Sequence, residues 1–398
     1  MYSPLSKSMV KLYALAMFFF TANSVLTVVV PLQAADHGYR EGEIGIMMGF
    51  YMFACMLLRP WAGQMIAKHS VLTVMRWLLI GHALTLLVYI CFGADGLYIV
   101  RALQGAVTAF FSMAMQIGIG NILRDEDRGQ GMSMYSLSTV LPGLYGPALA
   151  LLLWTPSKLA YLSVFIAVLA IVPLLFLLRS PLPGTKQGGA AFTLREMRSA
   201  LAEVLPHNGL IVSAFVMLAG AFVFGAVSTF LPLYMVTTGE GNPALYLFLQ
   251  AVVVVCSRFV LRKYIPSDGN WHPVFVSVVL LFSVAGTALL AVLPHLGYFV
   301  YLSSVFNGLA MSLLYPTITT YISFAVPKAT KHILFGIFLA SYDLGFALGG
   351  FATGYIVQLF SFAHMFAACS LIALSAIGFI WIKRRETVVI LDVQTNMK

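Results

Sequence analysis

An aspartate and an arginine stand inside apolar runs of this sequence, and the chemistry open to the chain follows from them. Asp343 falls in Ser341-Tyr342-Asp343-Leu344-Gly345, a run that continues through Gly349, Gly350 and Gly354; Arg101 opens Arg101-Ala-Leu-Gln104-Gly105. A charged side chain in hydrocarbon costs about 2.5 to 3.5 kcal/mol even on lenient insertion scales, so it faces a wet cavity or a partner. A carboxylate there, protonated when enclosed and deprotonated when a cation arrives, exchanges one for the other. The competing reading makes Asp343 a structural residue capped by a Ser or Tyr hydroxyl. Arg101 is equally two-sided: an anchor bonded to neighbouring spans, or a fork of donors that tunes Asp343 or grips a carboxylate. The proton-coupling expectation rests on these two residues.

Uncharged polar side chains recur at similar depth. Asn23, Gln104, Gln116, Gln250, Asn307 and Tyr342 are the candidate substrate-binding residues, because an amide or hydroxyl in lipid needs an internal partner. Helix-to-helix hydrogen bonding is the alternative for each. His82 and His364 read as packed or interfacial, and no His pair has metal-ligand spacing beside a carboxylate, so no metal site is expected. Cys55, Cys91, Cys256 and Cys369 lack any C-x-x-C spacing and read as packing residues. No Walker-type Gly-x-x-x-x-Gly-Lys occurs, and Asp343 has no second acid at depth for a catalytic pair, so neither ATP hydrolysis nor an enzyme is expected and no cofactor is implied.

The elements that must hold these residues follow from composition. Of 398 residues, 60% are hydrophobic and 9% charged, far from the roughly one quarter charged of soluble domains. Lipid is therefore the solvent for most of the chain. The net charge of +9 is dispersed in short clusters between apolar runs, which argues against nucleic acid as a partner. The apolar stretch after Lys7 and Lys11 is too long for a signal peptide and reads as a retained first span. Twelve spans are expected at about 10–33, 42–64, 71–92, 96–121, 130–154, 158–178, 209–236, 243–263, 273–292, 297–325, 332–358 and 361–382.

Charge asymmetry orients them. Of the 23 Lys and Arg residues, only Arg40 and Lys158 fall on the side opposite the termini and only Arg101 lies deep within a span, the rest standing in loops or at span ends on the side of the termini. The positive-inside rule then puts both termini in the cytoplasm of a multi-pass cell-membrane protein. Residues 179–208 read as a cytoplasmic linker with an amphipathic helix, Leu194, Met197, Leu201 and Leu205 sharing a face and Thr193 with Glu196 forming a capping box. The expected organisation is all-α: a six-helix bundle over 1–178, the linker, a second six-helix bundle over 209–382, and a cytoplasmic tail over 383–398. Tyr98, Val100, Gln104 and Gly105 are echoed by Tyr298, Val300, Asn307 and Gly308, and Arg59 by Arg258, so the halves read as repeats able to rock around a midplane site.

Three segments carry a family resemblance. Arg59-Pro60-Trp61-Ala62-Gly63 with Lys68 resembles a cytoplasmic gate motif of the major facilitator superfamily, with Ala67 where that family has an aspartate. Arg101-Ala-Leu-Gln104-Gly105 is similar to its fourth-span motif, whose arginine the family links to proton coupling. Leu141-Pro142-Gly143-Leu-Tyr-Gly146-Pro147 is similar to the fifth-span motif of its antiporters. Gating or structural roles are accordingly expected for Arg59, Pro60, Gly63, Gly143, Gly146, Pro147 and Arg258. The run from Tyr13 to Leu32 with Asn23, and the stretch from Ser257-Arg258 to Lys263-Tyr264-Ile265-Pro266-Ser267-Asp268-Gly269, further resemble staphylopine-type exporters of opine metallophores. The resemblance implies a monomer exchanging protons for a nicotianamine-like small molecule; a multidrug antiporter for lipophilic cations is the alternative. One acid and one arginine suit the zwitterionic or anionic cargo better.

Overall fold

In lipid a backbone must satisfy its own hydrogen bonds, and the apolar runs of this chain do so as helices. The computed structural model describes residues 3–124, 127–155, 159–176, 182, 199, 202, 208–261, 264–266, 270–325 and 331–395. The expected linker helix with its capping box lies outside the described residues. The helices are α1 (Lys7–Asp36), α2 (Glu41–Lys68), α3 (Val71–Phe92), α4 (Leu97–Ile122), α5 (Arg128–Val140), α6 (Pro142–Leu153), α7 (Leu159–Phe176), α8 (Asn208–Thr238), α9 (Pro243–Val260), α10 (Pro273–Ala291), α11 (Val300–Ala325), α12 (Lys331–Leu359) and α13 (Phe362–Thr395). Ser6, Ser70 and Asn242 start α1, α3 and α9 by accepting from the backbone N–H three residues on, at 3.4, 3.2 and 3.1 Å.

Among the described residues nine stretches are long and apolar enough to cross a membrane, one of them the 52-residue Val71–Ile122 that contains both α3 and α4. The shorter apolar Pro243–Arg258 adds a crossing in α9. The 29-residue α12 is long enough for another. The fifth expected span is covered by α5 and α6, which meet at Leu141 with helical backbone (φ −51°, ψ −39°); Pro142, lacking an N–H, removes one bond of the ladder there, and Met134–Leu153 remains one apolar stretch. At the other end, α13 continues to Thr395, into the segment assigned to the tail. No glycine or proline follows Gly378 to stop it.

The chain divides into two compact units, Met1–Ala191 and Phe192–Lys398. In the first, α1 packs on α6 and α7, α2 on α4, and α3 on α4 and α7. In the second the same pairs recur in the same order: α8 on α12 and α13, α9 on α11, and α10 on α11 and α13. The internal echo in sequence is thus matched by an echo in packing. Each unit's first helix is its most buried, with 72 and 78% of the apolar window of α1 and α8 covered against 28 to 50% in the other spans.

Close backbone approach explains several glycines. A Cβ at Gly105 on α4 would sit 1.9 Å from the Tyr51 carbonyl oxygen on α2, and its counterpart Gly308 on α11 faces the Gln250 carbonyl on α9 at 2.9 Å. On α12, Gly345 and Gly349 press on the Leu218 and Phe222 carbonyls of α8, each 2.2 Å from the missing Cβ, while Gly225 of α8 meets Phe346 in return. Without a hydrophobic drive between helices in lipid, such contact is what joins them. Gly146 does the same against Ser24 of α1, whose hydroxyl donates to the Pro142 carbonyl at 2.9 Å. Gly143 differs: nothing lies within 4 Å of its missing Cβ.

Gly105→Ala is therefore expected to destabilise the protein by about 1 to 3 kcal/mol, since the clash is with backbone that cannot rotate away. Gly143→Ala is expected to stay within about 0.5 kcal/mol of wild type. Thermal unfolding of the purified variants in detergent checks both.

Candidate functional site

The first unit gathers its polar side chains around one buried guanidinium. Arg101, on α4, is 1% exposed. Its Nη1 donates to Gln104 Oε1 at 2.8 Å, one helical turn on, and Gln104 Nε2 donates to Asn23 Oδ1 of α1 at 2.8 Å. Asn23 Nδ2 reaches the Tyr51 hydroxyl on α2 at 3.2 Å and Thr108 Oγ1 on α4 at 3.0 Å; Tyr51 in turn donates to Thr108 at 3.3 Å. The guanidinium carbon lies 4.6 Å from the centroid of the Tyr51 ring. Arg101 Nε has no hydrogen-bond partner among the described residues. The network ties three helices together and leaves the Nε donor of the buried cation outside it.

The second unit holds an uncharged counterpart. Asn307 of α11 donates through Nδ2 to the Tyr246 hydroxyl of α9 at 2.9 Å and to Ser303 Oγ at 3.3 Å, and Ser303 donates to the Gly286 carbonyl of α10 at 2.8 Å. Tyr246 and Ser303 share a further bond of 2.8 Å. The Asn307 carbonyl oxygen, buried and without a partner among the described residues, packs against Gly286, 2.5 Å from where a Cβ would stand. In both units a tyrosine from the second helix is bonded to an amide-centred cluster that includes the fourth.

Asp343 on α12 is 1% exposed, and its neighbour Tyr342 packs edge to face on Tyr315 of α11 at 5.4 Å. Arg258, half-buried on α9, is close enough to Tyr315 and Tyr342 to interact with them electrostatically. Asp343 and Arg101, linked in the sequence reading, belong to different units.

Of the six candidate binding residues, Asn23 and Gln104 join the Arg101 network and Asn307 centres the other cluster. Gln250 is half-buried and supplies the backbone carbonyl against Gly308, and Tyr342 lies beside Asp343. Gln116 is exposed and joins neither cluster among the described residues. Arg59 is half-buried on α2, which continues through Pro60 and Gly63; the side-chain surroundings of those two lie outside the described residues. Pro147 is buried within α6.

Four participants were not anticipated. Tyr51, Thr108, Tyr246 and Ser303 are common residue types in membrane helices, and their partners lie up to 85 positions away in sequence. The one available signal was Thr108 standing a turn after Gln104 on α4. His82, 2% exposed, stacks on Phe19 at 4.5 Å and bonds the Leu169 backbone of α7, while in the second unit Thr287 of α10 bonds Ser370 of α13 at 2.7 Å. Both join a unit's third and last spans, so packing accounts for His82. Among the described residues no group of His, Cys, Asp or Glu could hold a metal ion.

Removing the amide that links Arg101 to Asn23 leaves both buried and under-bonded. Gln104→Leu is expected to cost about 1 to 3 kcal/mol of stability, read as a lower melting temperature in detergent and less folded protein in the membrane.

The Major Facilitator Superfamily profile matches residues 12–272 and 269–394. The Staphylopine export protein of Staphylococcus aureus (strain Mu50 / ATCC 700699) is 38% identical over 369 residues, which is 92% of this chain and 93% of that protein. Among solved structures, a bacterial homolog of the human lysosomal transporter Spinster, inward-facing and occupied, superposes with a TM-score of 0.73 at 15% identity, covering 95% of this chain and 96% of that one. A POT family transporter in complex with 5-aminolevulinic acid gives 0.75 at 12%, with 95 and 96% covered. Family profile, near full-length relative and fold agree: this chain is a multi-pass membrane transporter and belongs to the Major Facilitator Superfamily.

Proposed function

We propose that this transporter expels a nicotianamine-like opine metallophore, of the staphylopine type, from the cytoplasm in exchange for inward-moving protons, by alternating access and as a monomer. The observation that carries the reading is the 38% identity, over 92% of the chain, to a protein named for staphylopine export. The chemistry of the buried groups is consistent with it. A guanidinium with an open donor suits a carboxylate-bearing cargo. A buried acid suits proton exchange, since a carboxyl group in an apolar bundle is neutral until a cation or water reaches it. In this cycle Asp343 takes a proton from outside and releases it inside, cargo amines competing for the same carboxylate. Metal, where it crosses, crosses as part of the chelate.

Both termini are assigned to the cytoplasm of the cell membrane, with Lys383, Arg384 and Arg385 closing the last apolar run on that side. A fluorescent protein fused after Thr395 is expected to fluoresce and an alkaline phosphatase at the same place to stay inactive. The reverse pattern inverts the topology and makes the proposed direction of transport untenable.

The direct test is mass spectrometry of small nitrogenous carboxylates inside and outside metal-starved cells with and without the protein. Intracellular accumulation of one metallophore on deletion is expected. Unchanged levels together with new sensitivity to cationic dyes would replace the metallophore with lipophilic cations. With the cargo in hand, Asp343→Asn is expected to reduce proton-driven exchange at least about tenfold while the protein remains folded in the membrane. Arg101→Lys is expected to fall nearly as far as Arg101→Ala, because an ammonium does not reproduce the planar fork.

A further inference from the structure

We propose that Tyr51 is a positioning residue for transport: its ring holds the Arg101 guanidinium in the orientation that keeps the Nε edge available, so that cargo affinity depends on the aromatic face and not on the hydroxyl. The inference rests on the carboxylate-bearing cargo argued above, and it follows from comparing the two units.

The hydroxyl of Tyr51 and the hydroxyl of Tyr246 do similar work. Each bonds an asparagine amide, Asn23 at 3.2 Å or Asn307 at 2.9 Å, and a hydroxyl side chain on the fourth helix of its unit, Thr108 at 3.3 Å or Ser303 at 2.8 Å. A contact that recurs where no arginine is present belongs to the shared scaffold. The ring contact does not recur on the fourth helix of the second unit: α11 carries no arginine or lysine, whereas the Arg101 guanidinium of α4 lies over Tyr51 at 4.6 Å.

That contact matters because of what else the guanidinium has. Arg101 is 1% exposed, its side-chain hydrogen bond is to Gln104, and Nε is without a partner among the described residues. One hydrogen bond fixes a single nitrogen of a planar group at the end of a long stem. The π face of Tyr51, itself 7% exposed, supplies the second restraint, and burial strengthens it because no water competes for the cation. It does so without using an N–H donor. A carboxylate at this position would have occupied up to two of the five donors and neutralised the charge that a cargo carboxylate is drawn to.

The test separates ring from hydroxyl and uses two readouts, one of them independent of cargo. Tyr51→Phe keeps the ring; Tyr51→Leu and Tyr51→Met remove it. In the purified full-length protein, phenylglyoxal labelling of Arg101, followed by peptide mass spectrometry, is expected to rise about tenfold in the Leu and Met variants and to stay within about twofold in the Phe variant. Labelling of the remaining arginines reports the fold: if Tyr51→Leu exposes them all, Tyr51→Met is read in its place. In proteoliposomes, staphylopine efflux is expected to show a KM raised about tenfold in the ring-less variants with Vmax little changed, and near-wild-type KM in Tyr51→Phe. Arg101 labelling that does not respond to loss of the ring, or that responds equally to loss of the hydroxyl, overturns the assignment. A wild-type protein that moves no staphylopine would sink the cargo reading instead, and the labelling would still decide the role of Tyr51.

Discussion

A guanidinium enclosed at 1% exposure must be solvated by the protein, because lipid offers it nothing. A chain of polar side chains in the first unit does that. Gln104 accepts from Arg101 and passes the chain of bonds to Asn23, which divides its own donors between Tyr51 and Thr108. Three helices, α1, α2 and α4, are thereby held in one register. The glycine at 105 permits it: only with no Cβ there can α4 lie against the Tyr51 backbone closely enough for those side chains to meet. Packing and electrostatics are one constraint at this point, since a helix displaced by an ångström would leave a buried charge under-bonded.

The second unit shows what the architecture looks like when that charge is absent. Its helices pair in the same order, Gly308 replaces Gly105 at the crossing, and a Tyr–Ser–Asn cluster replaces the arginine network. Its buried acid lies on α12, where Asp343 is flanked by Tyr342 and followed by the glycines that seat α12 on α8. Gly345 and Gly349 come two and six residues after the acid, so what fixes the position of the helix also fixes the carboxylate. One scaffold is thus used twice, with a cation in one copy and an acid in the other.

Much of this was legible in the chain. Apolar runs of about 20 residues predict spans because the bilayer sets their length, and Arg101, Asp343, Gln104 and Asn23 stood out because polar groups in such runs need partners. Other features needed the third dimension. The face of α4 that carries Gln116 is exposed, which its depth along the helix does not specify. Gly143 and Gly146 look equivalent three residues apart, but only Gly146 faces a neighbouring helix closely. The interruption of the hydrogen-bond ladder at Pro142 falls within one continuous apolar span, and hydropathy does not mark it because it registers solvent preference and not backbone hydrogen bonding.

By itself the sequence determined the all-helical class, the approximate spans, the two-fold internal repeat and the residues too polar for lipid. Each follows from composition and spacing along one dimension, where transfer free energy acts residue by residue. Which polar groups meet was decided only in three dimensions. The bond from Asn23 to Thr108 joins residues 85 apart, and the ring of Tyr51 reaches Arg101 across two helices. Those pairings depend on helix rotation and crossing distance, which are set by where side chains are small enough for backbones to touch.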